Sequence, residues 1–186
     1  MATVAAARAQ LARDGFHIFR DVLDDAILDS LREASDASLA EQDKEHFADQ
    51  VATGSMIMVD GAFIDRYPVF AELIAYPTLL KALASLGFRD PKFGHGRVIS
   101  KPPHSPPLFW HEDGRFWSDP LSYTATLVQA FLMFYLVDTS RENGCLRVIP
   151  GSHLKRHSLH DLIPAQHTPE NARYEDPNGA ALRSRG

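Results

Sequence analysis

Glu142-Asn143-Gly144-Cys145-Leu146-Arg147-Val148-Ile149-Pro150-Gly151-Ser152-His153 is the stretch on which the reading of this fold turns. Asn143-Gly144 is a strong turn signal, residues 145–149 read as a short returning strand, and Pro-Gly-Ser-His leaves it. Before the turn, residues 124–138 form a long apolar run. Val128, Ala130, Leu132, Phe134 and Leu136 lie on one face, with Gln129, Phe131, Met133 and Tyr135 on the other. The alternation predicts a strand that is apolar on both sides.

Further upstream, residues 109–113 read as a short strand after the rigid, proline-rich loop 102–107, which cannot be helix. Residues 93–101 predict another strand. The N-terminal half has a different texture. Residues 4–13 are alanine-rich and predict a short helix stopped by Gly15, and residues 16–22 alternate loosely as a strand would. Asp24 or Asp25 can cap a second helix, with Ile27, Leu28, Leu31 and Ala34 at helical spacing up to about Ala40. Residues 55–59 predict a strand, and residues 67–86 one or two helices around Pro77, ending near Gly87.

The bulk properties set limits. With 186 residues the chain fits one domain with a sizeable core, and its 45% hydrophobic and 23% charged composition is that of a globular protein. A net charge of −5 without a Lys/Arg block argues against nucleic acid. Cys145 is the single cysteine, which excludes an internal disulfide and a cysteine-rich metal cluster. The expected setting is cytoplasmic, without a signal peptide, membrane span or membrane partner.

Chemistry enters with Trp110-His111-Glu112-Asp113. Residues two apart on a strand point the same way, so His111 and Asp113 can converge on one metal ion while Glu112 faces away. Spacing alone is weak: nine His and 16 Asp in 186 residues give about one such pair by chance. A surface turn with a solvated Asp is the bland alternative. Context strengthens the pair, since Phe109, Trp110, Phe116 and Trp117 flank it.

The Glu-Asn-Gly-Cys-Leu-x-Val-Ile-Pro-Gly-Ser-His string, about 30 residues after His-x-Asp, closely resembles the phytanoyl-CoA dioxygenase family, which includes ectoine hydroxylase. The opening Arg13-Asp14-Gly15-Phe16-His17-Ile18-Phe19-Arg20-Asp21-Val22-Leu23 is similar to the family's beginning, so the resemblance spans roughly residues 10–160. It implies an α+β fold: a double-stranded β-helix (jelly roll, cupin-like) with N-terminal helices packed on the sheet. It also implies Fe(II) as metal, 2-oxoglutarate as cosubstrate, and O₂ and a small-molecule substrate as partners. By position, His111 and Asp113 become metal ligands. The strand through His95, Arg97 and Lys101 is similar to one that lines the cosubstrate pocket. Gln129 is a cosubstrate or ligand-orienting contact or a structural hydrogen bond, and Trp117 walls the site or packs in the core.

The resemblance places the third ligand on a later strand, with an Arg beyond it, and assigns His153 to the loop leaving the returning strand. Residues 154–186 read as a loop-rich tail in which His160 and His167 are weak ligand candidates. About six strands are legible where a closed jelly roll takes eight. The expectation is therefore a single, incomplete domain over 1–186 that lacks its last strands and is inactive or weak. The alternative is a non-catalytic jelly-roll binding module or degenerate family member. A zinc or manganese hydrolase with Glu112 as base is disfavoured, because Glu112 faces away from its neighbours.

Overall fold

A computed structural model describes residues 4–45, 47–48, 56–60, 63–105, 110–111, 122–124 and 129–156. Its elements are α1 (Val4–Asp14), α2 (Asp25–Ala40), β1 (Ile57–Asp60), α3 (Phe63–Arg66), α4 (Pro68–Ile74), α5 (Pro77–Ser85), β2 (Arg97–Ser100) and a 3₁₀ turn (Ser152–Leu154). The class is α+β. None of its helices is long and apolar enough to cross a membrane.

The helical half follows the sequence closely. Asp24 caps α2: its Oδ1 accepts the Ile27 N–H at 3.0 Å, and its Oδ2 accepts the Tyr76 hydroxyl at 2.7 Å. Ile27, Leu31, Ala34, Ser35 and Ser38 then fall on one buried stripe, the spacing expected of a helix seated on a core. Pro68 and Pro77 sit in the first turns of α4 and α5, where a missing N–H costs nothing. Gly87, at φ +100°, ends α5 in a Schellman arrangement: its N–H reaches Ala84 O at 3.0 Å and the Phe88 N–H reaches Leu83 O at 3.1 Å.

The core is small and lies between α2, α4 and the β pair. Ile27, Leu31, Ala34, Val59, Phe70 and Val98 form it, and Leu31 is only 1% exposed. β1 and β2 pair antiparallel, with Met58 opposite Ile99 and Val59 opposite Val98. Val59 and Val98 face α2, while Ile99 lies on the outer face and is half exposed. A second contact packs α1 on α5, with Ala7, Leu79 and Leu83 buried.

Among the described residues the strand expectations hold at β1 and at a shortened β2, whose pair is the single sheet there, so a jelly roll is not displayed. Residues 16–22 form no ladder. His17 Nδ1 pairs with Gln10 Oε1 at 2.8 Å, and Asp21 turns the chain at φ +56°, so the loose alternation ends as a link between α1 and α2. Residues 129–138 and 145–149 are not strands either. Phe131, Met133 and Val137 on one parity and Leu132 on the other are all exposed, Val137 by 67%. Apolar alternation states which faces could be buried but cannot supply the neighbouring backbone that makes a strand. Trp110 and His111 likewise lie outside any ladder, and residues 112–113 fall outside the described residues.

Candidate functional site

The stretch after residue 138 is held by a local turn and five more distant contacts. At the turn, Asn143 Oδ1 accepts the Ser140 N–H at 2.6 Å, its Nδ2 donates to Asp138 O at 2.8 Å, and the Cys145 N–H reaches Ser140 O at 2.9 Å. Gly144 follows at φ +85°, the left-handed conformation the Asn-Gly signal predicts. The Ser140 hydroxyl, followed by Glu142's own backbone N–H, holds the Glu142 carboxyl below the usual carboxylate range.

The first distant contact is to Lys101, the residue after β2. A Cβ on Gly144 would stand 2.7 Å from Lys101 Cδ and 2.9 Å from Cε, so the lysine stem lies directly on the glycine. Next, the Leu146 N–H reaches the Tyr135 hydroxyl at 3.3 Å. Arg147 places its guanidinium carbon 5.0 Å from the centre of the Trp110 ring, within cation–π range. At the far end, the Gly151 N–H donates to Asp14 O at 2.9 Å and His153 Nε2 to Ala12 O at 3.1 Å, both on the last turn of α1.

The two sequence motifs therefore meet in space through Arg147 and Trp110. His111, adjacent to Trp110, is half-buried. Trp110 Nε1 is buried with no hydrogen-bond partner among the described residues.

The remaining expected residues divide. His95 is exposed and meets the Phe131 ring edge-on at 6.4 Å, so the strand around 94–101 and the segment around 131 are neighbours. Arg97 and Ile99 share the exposed face of β2, opposite buried Val98, as alternation requires. Lys101 continues from β2 to the Gly144 turn. Gln129 is exposed, which removes the premise that a polar group in an apolar strand must find a buried partner. Asp113, Trp117, His160 and His167 lie outside the described residues. Among the described residues, no three His, Cys, Asp or Glu side chains stand close enough to hold a metal.

Sequence reasoning passed over Arg147, which occupies the variable position of the signature. An arginine alternating with Leu146 and Val148 in a predicted apolar strand was the available signal, since a buried guanidinium needs a carboxylate or an aromatic face.

Residues 11–181 match the family model for phytanoyl-CoA dioxygenase (PhyH). The chain belongs to the phytanoyl-CoA dioxygenase family. That family is made of Fe(II)- and 2-oxoglutarate-dependent oxygenases, so the membership carries oxidoreductase chemistry in general. No curated protein and no solved structure matches the chain. Family membership covers both motifs and the N-terminal Asp14-Gly15-Phe16 segment that His153 grips.

Proposed function

We propose that this chain is an Fe(II)/2-oxoglutarate-dependent dioxygenase that hydroxylates a small molecule, with His111 and Asp113 as two of the metal ligands. The observation that carries the reading is the contact of Arg147 with Trp110. It brings the family signature against the His-x-Asp segment, in a chain whose family uses that chemistry. The donor chemistry fits: imidazole with carboxylate is the ligand combination that leaves positions of Fe(II) open to cosubstrate and O₂. When bound, the metal and 2-oxoglutarate supply O₂ activation and the oxidising equivalent.

The chain's own part is to bind, orient and exclude water. His111 directly follows Trp110, whose ring the Arg147 guanidinium covers. His95, Arg97, Lys101 and Gln129 supply cationic and hydrogen-bonding groups suited to a dicarboxylate, and Trp117 a wall. A cupin-like double-stranded β-helix belongs to the same reading.

The test is anaerobic titration of Fe(II), then of 2-oxoglutarate, into the 186-residue chain and its His111→Ala variant, with succinate measured on admission of air. Binding that His111→Ala loses supports the assignment. Equal binding by both chains removes it, and binding of both ligands with no succinate points to a non-catalytic module.

A further inference from the structure

The last four carbonyls of a helix have no partner inside it. In α1 these are Leu11, Ala12, Arg13 and Asp14. The Gly15 N–H takes Leu11 O at 2.9 Å, a local closure. Two others are closed from the far end of the signature: Ala12 O by His153, 141 residues away, and Asp14 O by the Gly151 N–H.

The joint is built around two glycines. At Gly15, φ +84°, a Cβ would stand 2.5 Å from His153 Nδ1, so the imidazole occupies the space a side chain would need. At Gly151, φ +76°, a Cβ would face the Arg13 carbonyl oxygen at 3.5 Å. A carbonyl only accepts, so Nε2 is the donor of this bond. Nδ1 is buried, without a hydrogen-bond partner among the described residues. Nδ1 faces Gly15 at the helix end and Nε2 is bonded to Ala12 O, so neither ring nitrogen is offered to an ion.

We propose that His153 is a positioning residue: it closes the C-terminus of α1 and so fixes the segment whose Arg147 covers Trp110, next to His111. The link is short and stiff. The Ser152 N–H reaches Ile149 O at 3.2 Å and the Leu154 N–H reaches Gly151 O at 3.1 Å, tying the 3₁₀ turn to the residues that carry Arg147. The metal half of this proposal rests on the reading of His111 as an iron ligand.

Two variants of the full chain test it. His153→Phe keeps a ring and loses the donor, whereas His153→Gln places an amide N–H near the position of Nε2. The readouts are amide exchange at Gly151 and the Fe(II) dissociation constant, measured anaerobically well below the melting temperature of the weaker variant. His153→Phe is expected to speed Gly151 exchange about fivefold. It should also weaken Fe(II) binding about tenfold, the lower end of what supporting residues contribute. His153→Gln should restore most of both. Faster exchange with unchanged Fe(II) affinity overturns the proposal, as does equal damage by Phe and Gln. If His153→Phe does not fold, Gly151→Ala strains the same joint while keeping the imidazole, and must produce the same paired loss. If the parent chain binds no Fe(II), the His111 assignment and the metal half fall together. Exchange that is faster in Phe and not in Gln then still supports the cap, and equal exchange overturns it.

Discussion

Gly15→Ala isolates the joint between α1 and the signature in one substitution. The residue sits at φ +84°, where an L side chain costs about 1–2 kcal/mol. Part of this, about 0.4–1 kcal/mol, is offset because alanine also restricts the unfolded chain. The methyl would stand 2.5 Å from His153 Nδ1, so the ring must leave and its bond to Ala12 O is lost, adding about 1 kcal/mol. The net expectation is about 2 kcal/mol. For a chain of this size that is a fall in melting temperature of roughly 4–8 °C. Gly144→Ala is the matched comparison. Its φ is +85°, but its methyl meets only the flexible stem of Lys101, so about 1 kcal/mol is expected. Both are read by urea unfolding followed by far-UV circular dichroism. A Gly15→Ala loss no larger than that of Gly144→Ala refutes the packing argument. So does full stability of Gly15→Asn, since asparagine tolerates the left-handed region yet carries the same Cβ.

Leu31→Ala removes the most buried large side chain of the core and should cost about 2–5 kcal/mol, measurable by the same unfolding series. The Asp24 carboxyl is held below its ordinary range, first by the Ile27 N–H and then by the Tyr76 hydroxyl. Its stabilising effect is therefore complete above the unfolded carboxylate pKa and fades as pH falls through the folded one. Asp24→Ala should accordingly be less stable than the parent at neutral pH and converge with it in acid, whereas a pH-independent gap would contradict the capping role. Tyr76 gains the opposite limit. Its hydroxyl is pushed up by the bond to Asp24, so that contribution is present below the unfolded tyrosine pKa and lost as pH rises through the folded one. Tyr76→Phe should match the parent only in alkali, as followed by denaturant midpoints across pH. Finally, Arg147→Ala should change the environment of Trp110, seen as a shift in tryptophan emission, and Arg147→Lys should recover only part of it because the planar guanidinium is lost. Unchanged emission in both variants would show that the stacking is absent in solution.

How much of this could be read from sequence depended on how local the determining interactions are. The cap at Asp24, the prolines at the starts of α4 and α5, and the glycines at 15 and 87 each act within about one helical turn, and all stand where the sequence puts them. The Asn143-Gly144 turn is local too. Strands at 16–22, 129–138 and 145–149 depend on backbone from elsewhere in the chain, and there alternation overcalled the structure. For the site, the signature identified the family, yet the contacts that join its parts are non-local. Arg147 on Trp110 and His153 on Ala12 O link residues that no periodicity connects. Asp113 and Trp117, which sequence reasoning places beside His111, lie outside the described residues.

The closure of α1 by residues 151–153 has a consequence for how the protein is made. An 11-residue helix is marginal on its own. At a ribosomal rate of about 5–20 residues per second, the chain that finishes α1 emerges roughly 7–28 s after it. During that interval α1 is unfinished, and binding by a chaperone or cutting by a protease competes with its last carbonyls being met.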